Sequence, residues 1–328
     1  MNNYLVTGGA GFIGSHMVRF LLDHGHSVRV LDNLITGSLE NIHEIKDKID
    51  FIEGDFRSKT ICEEAIKDMD YVIHLGALPS VPRSVANPVL TTDINVNGTV
   101  TLLKTAHQAK VKRIVFASSS SVYGNSPELP RKETQVPSPL SPYAVSKLSG
   151  EYYMTCFYKL HGLETVCLRF FNVFGPRQNP NSQYAAVIPK FIQAVLNGHP
   201  PVVYGDGEQS RDFTFIDNVV EGIYRACHAE KVAGEVINLA CGDRTSLNEL
   251  LDNLRVITGH EIIAEYTDPR PGDVRHSHAD ISKARTLLKF EPSVPVLEGL
   301  ARTFKWYEVQ NNRNHHEVVK DTANLVDQ

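Results

Sequence analysis

Short apolar runs alternate with helix-period segments through the first half of the chain. YLVTG (Tyr4 to Gly8) reads as a buried strand. Ser15 to His24 then places Met17, Phe20 and Leu21 beside Ile13 on one helical face, and Gly25 supplies a stop. Further strands are predicted in SVRVLDN, IDFIEGD, YVIHLGA, KRIVFASSSSVYG and ETVCLRFFNVFG, with helices over Thr60 to Lys67, Asn95 to Lys110 and Tyr143 to His161. Strands that read as continuous apolar runs are buried on both faces. The alternation therefore predicts an α/β fold, a doubly wound parallel sheet covered by helices on either side.

After Phe174 the texture changes. GPRQNPNSQYAA is rich in turn formers, and shorter elements follow: Val187 to Leu196, PVVYG, a helix near Asn218 to His228, EVINLA and a helix over Leu247 to Thr258. A β-rich segment ends in TDPRPGDVRHSHAD, and a last helix covers about Val296 to Glu308. Residues 1–174 are thus expected to form the sheet domain. Residues 175–310 form a smaller C-terminal α/β lobe that closes over the sheet's carboxyl edge, with some chain crossing back. Residues 311–328 read as a polar, frayed tail in which His315 and His316 are solvated rather than metal ligands.

At roughly 150 residues per domain, a chain of 328 residues suits two such units. Its 38 acids against 33 bases leave a net charge of −5 and no basic footprint for nucleic acid. The start of the chain shows no basic region followed by an apolar stretch and a cleavage site, and no apolar run reaches membrane-spanning length, so neither a secretory signal nor a membrane partner is expected. The five cysteines are scattered and never spaced CxxC, which points to reduced thiols in a cytoplasmic protein without a metal site.

Thr7-Gly8-Gly9-Ala10-Gly11-Phe12-Ile13-Gly14 lies between the first strand and the first helix. GxGxxG alone is common, but here a strand precedes it, an amphipathic helix follows, and the next strand ends in an acid, Asp32. Gly8 permits the tight turn, Gly11 lets backbone approach a pyrophosphate at the helix N-terminus, and Gly14 lets helix pack on strand. Asp32 can accept from the ribose hydroxyls of adenosine and repels a 2′-phosphate. With no arginine immediately after it, NAD is favoured over NADP. Asp55 in GDFR ends the third strand, either within reach of the adenine amino group or as a turn former after Gly54.

Tyr143 and Lys147 in SPYAVSK are four apart, on a helix that Ser141 can cap and Pro142 can open. Chance supplies such pairs on many helices, where they lie on the surface. Ser118-Ser119-Ser120-Ser121 at the end of the fifth strand change the weighing, because ligands bind at the carboxyl edge of doubly wound sheets. A unit positive charge about 4 Å away, at an effective dielectric of about 20, is worth roughly 4 kcal/mol or about three pK units. The lysine and a cationic nicotinamide then make a tyrosinate base feasible. One or two of the serines are expected to relay a proton, the others to satisfy backbone.

Together TGGAGFIGSH, LDNLITG, GDFR, SSSSVYG, SPYAVSK and LRFFNVFGPR resemble the extended short-chain dehydrogenase/reductase family, specifically its nucleotide-sugar epimerase branch, from Met1 to about Glu308. The resemblance implies a tightly held NAD, a Rossmann domain with a small nucleotide-sugar lobe, and a homodimer. It implies Tyr143 as catalytic base, Lys147 as its partner and Ser119, which stands before Tyr123 of the VYG motif, as the catalytic hydroxyl. Gly8, Gly11, Phe12, Ile13 and Gly14 would line the pyrophosphate, and Asp32, Asn33, Thr36 and Gly37 would hold the adenosine ribose. Asp55 and Phe56 would flank adenine, while Leu75, Ala77 and Phe171 approach the cofactor's other half. For a UDP-sugar substrate it implies Asn172, with Arg211 and Arg270 clamping the diphosphate, Asp273 on the uridine ribose, and Ala186, Val187, Val203 and Tyr204 lining uracil and phosphates. Read without the resemblance, the two arginines are surface salt-bridge residues. Asn95 is expected to tie strands together rather than touch ligand.

Dehydratases of the superfamily carry Asp-Glu after the catalytic hydroxyl, and decarboxylases of UDP-glucuronate a glutamate in the same stretch. Ser120 and Ser121 stand there instead, which leaves inversion at C4 of a UDP-hexose. Ser277 is small where a tyrosine would reject N-acetyl groups. The run Ser80 to Ser84, including Arg83, together with Asn172, Gln178 and Ala186, resembles UDP-N-acetylglucosamine 4-epimerases. Pro79 replaces a usual glycine and NPNSQY a usual NPNGAY, so acetylated hexoses (UDP-GlcNAc/UDP-GalNAc) and plain ones (UDP-Glc/UDP-Gal) both stay open. The alternatives are a UDP-glucuronate 4-epimerase, with Arg83 serving the C6 carboxylate, and a catalytically silent NAD-sensing protein, against which the retained Tyr143 and Lys147 argue.

Overall fold

The computed structural model describes residues 1–180, 186–269 and 274–326, with side chains of the last helix as far as residue 312. Strands β1 (Asn3–Thr7), β2 (Ser27–Asp32), β3 (Asp50–Glu53), β4 (Tyr71–His74), β5 (Arg113–Ser119), β6 (Glu164–Phe170) and β7 (Glu235–Leu239) form one sheet in the order β3-β2-β1-β4-β5-β6-β7. Every neighbouring pair is parallel. The order reverses at β1, so the connections to β2 and β4 leave in opposite directions and open a crevice above their carboxyl ends.

Successive side chains of each strand enter opposite cores, which is why the strands read as unbroken apolar runs. Tyr4, Val6, Val30, Ile73 and Val115 belong to one core, and Leu5, Leu31, Val72, Ile114 and Phe116 to the other. The crossover helices of the first half are α1 (Phe12–Asp23), α2 (Lys59–Ile66), α3 (Gly98–Gln108) and α4 (Pro142–His161). Helices α5 (Val187–Leu196) and α6 (Ile216–His228) lie between β6 and β7, and α7 (Leu247–Thr258) and α8 (Val296–Val326) follow β7. Helix α4 starts as its sequence predicts: Ser141 Oγ accepts from Ala144 N at 3.1 Å, Pro142 opens the first turn, and left-handed Gly162 closes the last.

Among the described residues three small strand pairs stand outside this sheet: Val173–Phe174 with Thr214–Phe215, Val202–Tyr204 with Glu265–Thr267, and Ser210–Arg211 with Thr245–Ser246. Buried Asp212 gathers the lobe's loops by accepting from the backbone N–H groups of Cys241, Gly242 and Ala279 at 3.0–3.2 Å. Helix α6 packs against α1, and β7 completes the sheet beside β6.

Three features depart from the expected elements. The segment Leu39–Lys48 winds as a 3₁₀ helix on buried Ile42 and Ile45, too few apolar positions to declare a period. The helix expected from Asn95 begins at Pro88, capped by Asn87 Oδ1 on Leu90 N at 3.1 Å, and passes through a π turn at Asp93–Asn97 before α3. Helix α8 runs past Glu308 to Val326 instead of giving way to a frayed tail, and no glycine or proline after Gly299 interrupts it.

Candidate active site

The turn from β1 into α1 is held shut by atoms that leave no room for side chains. At Gly14 a Cβ would stand 2.1 Å from the Gly8 carbonyl oxygen, and at Gly8, whose φ is +71°, one would stand 2.8 Å from Gly76 backbone. Gly11 is the N-cap of α1 and supplies no side-chain acceptor, and the first turn carries no acid. The leading N–H groups of α1 therefore face a cavity of about 470 Å³. A diphosphate fits this cradle, because bare helix N–H groups and the macrodipole both favour an anion there.

Asp32 closes the far wall, 8% exposed, with Oδ2 accepting from Ala10 N at 3.0 Å and Oδ1 from Leu34 N at 2.9 Å. Burial raises its carboxyl above the ordinary range, against the two backbone donors. Each oxygen keeps a lone pair to accept from a ribose hydroxyl, so this anionic acceptor suits a dinucleotide without a 2′-phosphate. Asn33, Thr36, Phe56, Leu75 and Ala77 also wall this cavity, with Phe12 and Ile13 of α1.

Two residues of the expected set stand back from it. Gly37 packs beneath Asp32, where a Cβ would sit 2.9 Å from both carboxylate oxygens. The Asp55 carboxylate accepts from Arg57 N, Nε and Nη2 and from Asn33 Nδ2, at 2.7–3.1 Å, and so braces Asn33.

The floor is a hydrogen-bonded chain with every proton assigned. Gly76 N donates to Thr7 Oγ1, Thr7 to His74 Nδ1 at 2.7 Å, His74 Nε2 to Thr99 Oγ1 at 2.9 Å, and Thr99 to Asn95 O at 2.6 Å. Burial, helped by the nearby charge of Lys147, holds the His74 imidazole neutral with its pKa lowered to about 3. Asn95 ties a loop to a helix rather than strand to strand: its amide pairs with Leu78 N and O and donates to Ser146 Oγ at 3.0 Å.

At the open end of β5, Ser119 Oγ caps the turn Ser120–Tyr123 by accepting from Ser121 N at 3.2 Å, and Ser119 and Tyr143 both wall the first cavity, the serine hydroxyl pulling the phenol's pKa down. Lys147, 4% exposed, donates from Nζ to Ala117 O at 2.8 Å and lies 5.9 Å from the Tyr143 ring centroid and 5.0 Å from that of Phe116. Burial raises the Tyr143 pKa while the Ser119 hydrogen bond lowers it, and burial lowers Lys147 to about 8. The expected lowering rests on the lysine and a cationic nicotinamide together; in the protein alone, desolvation of the phenol outweighs the groups that lower it. The isolated protein keeps Tyr143 protonated near neutrality.

Two further cavities of about 280 Å³ each share Asn172 as a wall residue with the first. Ala186, Val187, Tyr204 and Arg211 wall one. The other is lined by small groups, Ser120, Ser121, Gly124, Ser141 and Ser277, with Phe171, Arg131, Arg211 and His276 at its edge. Asn172, in the left-handed region at φ +34°, walls all three, and Gln178 walls the first. Arg211 donates to the carbonyls of Ser210 and Arg275 at 3.0 and 3.1 Å.

Four expected site residues sit elsewhere. Val203 is buried in the lobe core while its neighbours Val202 and Tyr204 face the cavity, as strand alternation requires. The same parity sends Phe170, not Phe171, to the dinucleotide cavity. Ser80 Oγ accepts from Arg83 N at 3.3 Å to cap the helix Val81–Ala86, and neither residue lines these cavities. Arg270 and Asp273, and the NPNSQY residues 181–185, lie outside the described residues. Residues the sequence reading passed over include Ser118, Gly76 and Pro79 on the first cavity's wall. Ser118 carried a signal as one of the strand-end serines, whereas Pro79 entered only as a departure from a pattern. Among the described residues no group of His, Cys, Asp and Glu is arranged to hold a metal ion, and no helix is long and apolar enough to cross a membrane.

Comparison with known proteins places these features in context. Residues 4–240 match the NAD dependent epimerase/dehydratase family. The solved UDP-N-acetylglucosamine 4-epimerase from Methanobrevibacter ruminantium M1, in complex with UDP-N-acetylmuramic acid, is 42% identical, with a TM-score of 0.90 over 94% of this chain and 99% of that one. The UDP-glucuronic acid 4-epimerase from Bacillus cereus, in complex with UDP-glucuronic acid and NAD, is 34% identical, with a TM-score of 0.85 over 93% and 98%. The UDP-glucose 4-epimerase of Mycolicibacterium smegmatis is 38% identical over 92% of this chain and 97% of its own length.

Proposed function

The chain belongs to the NAD-dependent epimerase/dehydratase family, and we propose that Tyr143 is the acid–base residue of its reaction and that its sugar compartment admits a 2-acetamido group. The activity is that of a UDP-sugar 4-epimerase, an NAD-dependent isomerase. One observation carries the finer reading: Asn172 walls the dinucleotide cavity, the arginine-edged cavity and the small-residue cavity alike, and Ser119 and Tyr143 wall the first of them.

When bound in the first cavity, NAD supplies the reversible two-electron acceptor that takes the C4 hydrogen and gives it back on the other face. Tyr143 removes the proton of the sugar 4-hydroxyl, with Ser119 relaying, and returns it after the 4-keto sugar has turned about its diphosphate linkage. Lys147 adds positive charge next to a phenol that burial otherwise keeps protonated. Arg211 grips the diphosphate, and Tyr204, Ala186 and Val187 line the nucleoside. Firm holding at that end and small side chains at the other suit a step in which the hexose must rotate.

Ser277, Ser121 and Gly124 leave room for an acetamido group. A carboxylated hexose is the second reading, favoured by Arg131 and His276 on the same wall. Chromatographic assay of UDP-galactose, UDP-N-acetylgalactosamine and UDP-galacturonate decides between them. Conversion of the acetamido sugar at an efficiency at least equal to the plain one is expected, and turnover of the uronate alone would refute the first reading.

A homodimer is part of the proposal. Val145, Tyr152 and Leu160 on α4, with Val85 and Val89 on the adjacent short helices, stay exposed, and a second copy of the same face would cover them. Light scattering of the purified protein tests it, a monomer at micromolar concentration being the refuting result. A cytoplasmic location is the reading supported by five cysteines that are all unpaired.

A further inference from the structure

Helix α4 presents Tyr143, Lys147 and Glu151 at intervals of four, so the three lie in one stripe along its inner face. Glu151 is as buried as Lys147 and takes no part in the chemistry described above. Its carboxylate is locked in a two-pronged pair with Arg169 of β6, Nε to Oε1 at 2.9 Å and Nη2 to Oε2 at 2.7 Å, both side chains 4% exposed. Oε1 also accepts from Ser118 Oγ at 2.5 Å. Ser118 is the residue before Ser119, and it pairs in register with Arg169 across β5 and β6.

The strand end is therefore fastened to α4 at two successive turns. Lys147 holds the Ala117 carbonyl and Glu151 holds the Ser118 hydroxyl. Gly150 lets the helix come down this far, since a Cβ there would stand 2.4 Å from the Phe116 ring. The row continues away from the site. The Arg169 guanidinium lies 4.6 Å over the Tyr123 ring, and the Tyr123 hydroxyl donates to Asn238 Oδ1 on β7 at 2.7 Å. Asn238 is the register partner of Arg169 and donates to the carbonyls of Arg131 and Asp280. A buried ion pair of this kind adds little to stability compared with apolar residues of the same shape, so its presence calls for another use.

We propose that Glu151 and Arg169 are positioning residues: acting through Ser118, they set the height of β5 against α4 and so the approach of the Ser119 hydroxyl to the Tyr143 oxygen. The inference rests on the reading of Ser119 and Tyr143 as the reacting pair. Neither Glu151 nor Arg169 touches the substrate in this scheme, so their effect falls on the proton-transfer step and not on binding.

Ser118→Ala tests it without breaking the ion pair. At saturating NAD, kcat for the UDP-sugar the wild type turns over should fall about tenfold, a loss in scale with a misplacement of well under 1 Å, while KM stays within about twofold. Ser118→Thr, which keeps the hydroxyl, should restore most of the rate. An ultraviolet difference titration against Tyr143→Phe gives a readout without substrate. Loosening the Ser119 hydrogen bond should move the Tyr143 titration to higher pH in Ser118→Ala. Glu151→Gln should show the same pattern in its folded fraction. A kcat within about twofold of wild type overturns the proposal, as does a fall unaccompanied by the titration shift or one that only tracks lost folded protein. An inactive wild type, by contrast, would sink the epimerase reading and leave the titration comparison to judge the clamp alone.

Discussion

Lys147→Met separates what the buried ammonium does for folding from what it does for chemistry. Burial lowers its pKa from 10.5 to about 8, which at about 1.4 kcal/mol per unit means that the charged form is disfavoured in the folded chain by about 3 kcal/mol. The hydrogen bond to Ala117 O at 2.8 Å offsets about 1.5–3 kcal/mol of that. At pH 7 the substitution should thus leave stability within about 1.5 kcal/mol of wild type, while kcat falls at least about a hundredfold.

The pH dependence is the sharper test, because the offsets cancel. Below pH 8 the lysine is charged whether folded or unfolded, and the full burial penalty applies. Between about 8 and 10.5 the unfolded chain binds the proton more strongly, so wild-type stability rises with pH relative to a variant with no group to titrate. Integration gives a wild-type gain of about 1.4 kcal/mol between pH 7 and pH 9. Urea unfolding of both proteins at each pH, without NAD because the cofactor itself adds stability, measures it. Curves that shift in parallel from pH 7 to pH 9 would refute the claim that Lys147 is held charged in a dry site.

Tyr143→Phe should lower kcat about a thousandfold while calorimetry still finds NAD bound; a rate near wild type would exclude the phenol as base. Gly14→Ala drives a methyl to 2.1 Å from the Gly8 carbonyl, so the turn must open. NAD affinity should drop at least about tenfold with UDP binding unchanged, and equal affinity in a titration would show that the turn is not the diphosphate cradle. Ser277→Tyr fills the small-residue cavity and should suppress turnover of the acetamido sugar more than that of the plain hexose. Equal losses on both would remove Ser277 as the determinant.

The sheet, its two cores and the cradle were legible because each rests on a local period or on a steric demand that only glycine meets. Val187–Leu196 and Leu247–Thr258 coincide with the helices read from the sequence for the same reason. Parity was less secure. Phe171 was one residue off the position that faces the dinucleotide cavity and Val203 one residue off the wall of the second cavity, because a slip of one flips the face. Asp55 fits its GDFR motif, yet its oxygens are taken by Arg57 and Asn33, neighbours that only the fold supplies. The spacing of Tyr143, Lys147 and Glu151 was visible from the start, but Arg169 becomes the partner of Glu151 only once β5 and β6 align. EVINLA read as a short lobe element, and its place at the sheet's edge depends on contacts with residues some seventy positions earlier.

That seventh strand has a practical outcome for anyone cutting the gene. A fragment stopped at residue 174 would end with Val166 to Phe170 stripped of the ladder they form with Glu235 to Leu239, a long apolar border with bare amides and carbonyls. Such a half-protein should precipitate or pair with its own kind, whereas one that also carries Glu235 to Leu239 should stay dispersed. These five residues, with α6 lying on α1, join the later part of the chain to the sheet, so an exchange of the later part between relatives should keep Glu235 to Leu239 with the sheet.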